Sequence, residues 1–369
     1  MKGELLSYRP RLDGLRLVAI SLVLIHHFGG YLASFFDAGY YGVDLFFVLS
    51  GYLITSILLK DSRDSFGEVY RGFIGRRALR IFPAYYLLLF VLVLINFPTA
   101  RSEILYLLSY TFNYKAALIQ ASGKENPLYY LWSLSVEEQF YLLWPPVVIA
   151  LRSRKPILLG AVFTIVVVGY LQLTINLVPA FAPYNYTGLF NRMGSLGLGA
   201  FGAIYASWKP LPASIFRTAW AEIAAFAILA VSLGMDISLR FPILGLISLF
   251  FVLKAAHFDF RLKTIDRFLQ RRPVVYVGAI SYGIYLYHVP VGALLSQHVF
   301  DPFWASIPFE NLGWFAKARW HSWILKLPFY SGLTIAVAAA SFRWFESPIL
   351  SLKYRWFNYR TSEIAPIGN

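Results

Sequence analysis

Eleven apolar stretches, each about the length of a membrane-crossing helix, run through this 369-residue chain and leave few folds open to it. Crossing the hydrocarbon core takes about 20 mostly apolar residues. Lipid offers no water to backbone N–H and C=O groups, so such stretches fold as helices that satisfy those groups internally. They lie near residues 12–32, 40–59, 79–97, 103–120, 129–151, 156–178, 187–207, 219–235, 238–256, 274–299 and 322–345. Charged residues make up only 14% of the chain, against about 25% in a soluble domain. The sequence therefore predicts an all-α polytopic membrane protein.

The formal charge of +14 does not point to nucleic acid, because Lys and Arg fall in short clusters between the apolar segments. That pattern marks cytoplasmic loops. The stretch at 103–120 carries Glu103, Asn113, Lys115 and Gln120. If it does not cross, the basic clusters at 60–80, 152–155 and 254–272 share one side; if it does, every later loop inverts. The expected topology is thus about ten transmembrane helices plus a re-entrant or interfacial segment after the third, in the cell membrane, with both termini cytoplasmic. Arg16, His26 and His27 interrupt the first stretch and no small-residue cleavage site follows, so it reads as a retained helix and not a signal peptide. No internal repeat or composition shift marks a second domain, and the tail after about residue 346 is short and polar. Residues 1–369 are expected to form a single membrane domain with no appended soluble catalytic domain.

Ionisable residues inside spans are costly and by default mark a site or a pathway. Arg16 and His27 stand eleven positions apart in one apolar run, about three helical turns, so they share a face at levels about 16 Å apart. The bland alternative is a snorkelling arginine and a hydrogen-bonded interior histidine. Asp44 and Ser50 lie in the second span, where Asp44 is either a helix cap or a site residue. Arg76, Arg77 and Arg80 occupy about one turn at the entry to the third, as a positive-inside anchor or an anion site. Glu137 and Glu138 sit in the fifth, and Arg192 precedes a glycine-rich stretch of the seventh. Adjacent glutamates point about 100° apart, so at most one faces a shared cavity. The chain has no cysteine, which excludes a thiolate nucleophile, and its six histidines form no HExxH pattern, so no metal is expected.

Together these elements resemble the acyltransferase-3 family of integral-membrane acyltransferases. The matching pieces, in family order, are LDGLRLVAISLVLIHH with its R-x10-H spacing, GVDLFFVLSGYLIT, RRALRIFPAYY, WSLSVEEQFYLLWP, the Arg192 segment and SYGIYLYHVP at 281–290. The resemblance implies about ten transmembrane helices and transfer of an acyl group, most often acetyl, from acyl-CoA to a hydroxyl of a carbohydrate or glycosylated acceptor. It implies His27 as the family histidine and Arg16 as its paired cation; His26 falls out of register. Longer relatives add a soluble hydrolase-like domain that helps the transfer, which leaves open a separate soluble partner here.

Acyl transfer from a thioester needs a base for the hydroxyl proton, stabilisation of the oxyanion and a holder for the anionic coenzyme. His27 supplies a base that titrates near neutrality. Glu137 is expected to orient His27, to stabilise its protonated form or to bind the acceptor. Arg76, Arg77 and Arg80 suit the coenzyme's phosphates through charge-assisted, forked hydrogen bonds, with Arg16 partway in. Asp44, Ser50, Trp132 and Arg192 are the candidates for acceptor binding. The expected partners are acyl-CoA (acetyl-CoA foremost), the acceptor and membrane lipid. The competing reading is a transporter that uses the same Arg, Glu and His residues as a relay, but the inverted repeats common in transporters are not evident.

Overall fold

A computed structural model describes residues 8–30, 33, 38–63, 65–184, 186–300, 302–303 and 321–357. The ends on which the cytoplasmic-termini expectation rests, 1–7 and 358–369, lie outside the described residues. Among the described residues there is no strand. The principal helices are α1 (Pro10–Phe28), α2 (Ala38–Lys60), α3 (Phe66–Leu94), α4 (Ile104–Leu108), α5 (Phe112–Ala121), α6 (Trp132–Leu151), α7 (Lys155–Ile175) and α8 (Leu189–Trp208). They continue as α9 (Ala219–Ser232), α10 (Ile237–His257), α11 (Lys263–Leu269), α12 (Arg272–Ala279), α13 (Ser281–Leu295), α14 (His321–Ser341) and α15 (Ser347–Trp356).

Every apolar stretch holds helix, but not every one is a simple span. The 103–120 segment gives α4 and α5, of 5 and 10 residues. At 1.5 Å per residue α5 is about 15 Å long, half the hydrocarbon thickness, so neither helix is long enough to cross by itself. Among the described residues α2, α3, α7 and the 239–257 part of α10 are long and apolar enough to cross, and α12 with α13, bent by 70° at residue 280, makes a fifth candidate. α1, α6 and α8 have the length, 19, 20 and 20 residues, but carry the polar groups that set them apart in the sequence.

α3 starts thirteen residues before the expected boundary at 79. Ser65 caps it by accepting from the Glu68 backbone N–H, and Glu68 sits in the first turn, which suits the positive end of the helix dipole. Arg76, Arg77 and Arg80 therefore lie within a 29-residue helix.

Small residues set the positions of the helices that build the site. A Cβ on Gly51 would lie 1.9 Å from the Leu196 carbonyl oxygen, and one on Gly199 would lie 2.0 Å from that of Val48. α2 and α8 thus touch backbone to backbone, the use small residues serve in helix pairs within membranes. Likewise a Cβ on Gly278 would meet the Asp13 carbonyl oxygen at 1.8 Å, which seats α12 on α1. Farther out, the fully buried Lys254 and Glu222 pair at 2.7 Å. Glu222 also accepts from the backbone N–H groups of Arg261 and Leu262, at 2.5 and 2.9 Å, and Lys254 donates to the Phe216 carbonyl at 2.6 Å. The ion pair ties α9 and α10 to the chain entering α11.

Candidate active site

Five helices, α1, α2, α3, α6 and α13, enclose a cavity within the bundle. Polar residues from each meet there: Arg16, Ser50, Arg77 and Arg80, Glu137 with Tyr141, and Tyr285. Glu137 is the anchor. Ser50 donates to its Oε1 at 2.9 Å, Tyr141 donates to its Oε2 at 2.9 Å, and the two hydroxyls stand 3.2 Å apart. Arg77 lies 4.3 Å above the Tyr141 ring, and the positive charges of Arg77 and Arg16 both bear on Glu137. Arg16 donates to Asp13, one turn back on α1, at 2.6 Å. The cavity therefore combines a fixed carboxylate with three guanidiniums, one of them already paired. That arrangement suits a polyanionic ligand.

Arg76 is not among the residues lining the cavity. From within α3 its side chain reaches back toward the α2–α3 loop: a Cβ on Gly72 would fall 3.1 Å from its guanidinium and 2.8 Å from that of Arg63. Burial pushes the Asp61 carboxyl in that loop up, but hydrogen bonds from Arg63 and the charges of Arg63 and Arg76 outweigh it and hold the group below the usual carboxylate range. Glu138, a 100° step from Glu137, is likewise not among the lining residues.

His27 lies at the other end of α1, apart from this cavity. Its Nδ1 is 2.9 Å from the Val23 carbonyl oxygen. A carbonyl only accepts, so Nδ1 carries the proton and Nε2 is left as the acceptor. The residue keeps part of its surface exposed, while its ring lies 5.1 Å from that of His26 and 4.6 Å from that of His288. His26 turns toward α2, where a Cβ on Gly39 would fall 2.6 Å from its Cγ and where the Tyr40 ring stands 6.0 Å away. The two neighbours thus serve different helix contacts. His27 is connected to the cavity through α13: the ring of Tyr285, a cavity residue, is 5.4 Å from that of His288.

The acceptor candidates separate into two groups. Ser50 belongs to the cavity. Asp44, Trp132 and Arg192 come together elsewhere: Arg192 Nη1 is 3.7 Å from Asp44 Oδ1, and Ser195 donates to the same oxygen at 2.8 Å. The guanidinium donates through Nε to the Tyr186 carbonyl at 2.6 Å and lies 4.2, 4.6 and 5.5 Å from the rings of Tyr186, Phe241 and Trp132. Asp44 Oδ2 and Arg192 Nη2 are buried without a hydrogen-bond partner. Among the described residues no group of three or more His, Cys, Asp or Glu is placed to hold a metal ion. Sequence reasoning passed over Tyr141, Tyr285 and His288. The last lies in the SYGIYLYHVP segment, where a histidine inside an apolar helix was a signal in plain view.

Comparison with known protein families decides the relationship, because the acyltransferase-3 model, described as an acyltransferase domain, matches residues 9–343. The chain belongs to the acyltransferase-3 family. Its relatives include the candidate peptidoglycan O-acetyltransferase YrhL of Bacillus subtilis, 31% identical over 96% of this chain and 56% of that protein. The peptidoglycan O-acetyltransferase OatA of Listeria monocytogenes is 29% identical over 93% of this chain and 56% of its own length. The candidate O-acetyltransferase SAR0937 of Staphylococcus aureus is 26% identical over 98% and 61%. The acyltransferase-3 chain thus spans 56–61% of the length of these relatives. No solved structure matches it. With its long apolar helices, family membership makes it a membrane protein.

Proposed function

We propose that this acyltransferase-3 protein moves an acetyl group from acetyl-CoA to a hydroxyl of peptidoglycan or a related cell-envelope carbohydrate, with His27 as the base. The single observation that carries the reading is the cavity in which Arg16, Arg77 and Arg80 surround a Glu137 held by Ser50 and Tyr141. A purely structural bundle has no use for three guanidiniums in one apolar interior. In this reading Arg77 and Arg80 hold the coenzyme's phosphates at a cavity mouth that opens to the cytoplasm. The thiol arm extends past Arg16 toward His27, at the opposite end of α1. Ten crossings with cytoplasmic termini place the two ends of α1 on opposite sides, coenzyme inside and acceptor outside.

The reaction follows from these placements. Nε2 of His27 takes the proton of the acceptor hydroxyl as its oxygen attacks the thioester carbonyl. The tetrahedral oxyanion collapses, the C–S bond breaks, and the imidazolium returns its proton to the departing thiolate. The products are an acetyl ester and free coenzyme A. With no cysteine in the chain, direct transfer is the simplest course. In this reading Glu137 serves the cavity and not the base, a role supported by the hydrogen bonds it accepts from Ser50 and Tyr141. Asp44, Trp132 and Arg192 form an aromatic-lined polar group assigned to the acceptor.

The test is mass spectrometry of cell-envelope glycans from strains with and without this protein. Loss of alkali-labile acetyl groups from the glycan, restored by the wild-type gene and not by His27→Ala, is the expected result. Unchanged acetylation with a defect in solute or proton movement would replace the enzyme with a transporter.

A further inference from the structure

His288 is fully buried in α13, and its Nδ1 lies 2.6 Å from the Tyr285 carbonyl oxygen. The carbonyl only accepts, so Nδ1 is the donor and Nε2 is a bare lone pair. That Nε2 is buried and has no hydrogen-bond partner. A structural histidine anchored through Nδ1 needs no such atom, and leaving a buried acceptor unpaired is unfavourable. The neighbouring ring is the one assigned as base: His27 stands 4.6 Å away, 77° out of plane, edge to face. The rest of the surroundings hold His288 still, with the rings of Tyr130, Tyr285 and Phe28 at 4.9, 5.4 and 6.1 Å.

A base that becomes cationic during the reaction is ordinarily steadied by a group that accepts from it or faces it with negative charge. Glu137 is not placed to do this for His27, since it lines the cavity, where it accepts from Ser50 and Tyr141, and His27 lies apart from it at the other end of α1. Among the described residues, the ring contacts around the histidine pair are His26 on α1, which contacts Tyr40 at the start of α2, Tyr130 ahead of α6 and Tyr285 on α13, and Phe28, which in turn meets Tyr330 of α14.

We propose that His288 is the positioning residue of His27: it holds the imidazole edge-on and presents a fixed lone pair that favours the protonated ring formed during acyl transfer. The inference rests on the assignment of His27 as base. Two adjacent imidazoles of which one is charged titrate as a coupled pair, so removal of the second alters the proton affinity of the first. The sign is fixed. Loss of a lone pair that favours the cation lowers the pKa of His27, and the acidic limb of the rate profile, where His27 must shed its proton to act, moves to lower pH.

The test uses the full chain in lipid nanodiscs with His288→Asn, whose amide N–H replaces the Nδ1 donor to Tyr285 while no atom replaces Nε2. His288→Phe, which keeps a ring and loses both nitrogens, is the second variant. The direct readout is the titration of ring nitrogens in histidine-labelled protein, tractable because the chain has only six histidines. The expected result is a His27 proton affinity lowered about three- to tenfold in both variants, with acetyl-CoA binding unchanged and the acidic limb shifted in the same direction. An unmoved His27 titration in folded His288→Asn overturns the proposal. Because the titration needs no turnover, a wild-type protein that transfers nothing while His27 still responds to His288 refutes the acyltransfer reading and leaves the pairing intact.

Discussion

The three arginines that one helical turn of sequence groups together are expected to behave differently, because α3 sends only two of them to the cavity. The perturbation is Arg→Gln at positions 76, 77 and 80 in turn, with Arg16→Gln beside them. A hydrogen bond to a charged group is worth about 1.5–3 kcal/mol, which is about 10- to 150-fold in Kd. Arg77 and Arg80 line the cavity, and Arg77 is already laid over the Tyr141 ring at 4.3 Å, so little ordering remains when an anion arrives. Each of these two changes should weaken coenzyme A binding within that range. Arg16 gives part of its charge to Asp13 at 2.6 Å, so its loss should cost less, about three- to tenfold. Arg76 bears on Asp61 in the loop, and Arg76→Gln should leave Kd within about twofold. The assay is calorimetric titration of coenzyme A into nanodisc-held protein at two salt concentrations, with affinity falling at the higher salt. Equal losses at all three α3 positions, or none in correctly folded protein, would refute the reasoning and return these residues to topology anchors.

The buried pair of Glu222 and Lys254 yields a stability prediction: Glu222→Gln leaves an ammonium uncompensated and should destabilise the protein by about 3–5 kcal/mol. Thermal unfolding reads this, with coenzyme A affinity unchanged in protein that stays folded. For topology, the cysteine-free chain allows Ser65→Cys, Thr264→Cys and Ala38→Cys to be labelled singly in intact cells. The first two should resist a membrane-impermeant reagent and the third should react; opposite behaviour of Ser65→Cys and Thr264→Cys contradicts ten crossings. Asp61, held below the usual range by Arg63 despite its burial, contributes stability that is fully present above its unfolded value of about 3.9 and lost as pH falls through its lower folded value. The unfolding temperatures of wild type and Asp61→Asn should therefore differ near neutrality and converge in acid.

Much of the fold was legible because the driving pattern is local: an apolar run of span length has few options other than helix. The polar residues of 103–120, which set that stretch apart in the sequence, fall in or just before two short helices and have local uses. Lys115 stands 3.9 Å from Glu103, and Asn113 accepts from Gln139 at 2.8 Å. The start of α3 was missed because its first turns are amphipathic and polar, and the Ser65 cap with Glu68 behind it is a short signal beside a strong apolar one. The bend at 280 has no proline to announce it. It lies where Gly278 meets the Asp13 carbonyl, a contact between residues 265 positions apart. For the same reason the sequence grouped Asp44 with Ser50, which the structure separates, and did not join Glu222 to Lys254 or His288 to His27. Those pairings depend on which faces of distant helices meet, and spacing along one helix carries no information about its partner.

The most direct measurement of the central claim compares wild type, His27→Ala and His26→Ala in acetyl transfer from acetyl-CoA to a peptidoglycan fragment. Released coenzyme thiol is read with a thiol reagent, to which the cysteine-free chain contributes no background. His27→Ala should lose about 10²- to 10⁴-fold of the rate while still binding coenzyme A. His26→Ala, whose ring turns toward Gly39 and Tyr40, should keep most of it. Near-normal turnover in His27→Ala, or a dead His26→Ala beside an active His27→Ala, would contradict the assignment of the base and the mechanism built on it.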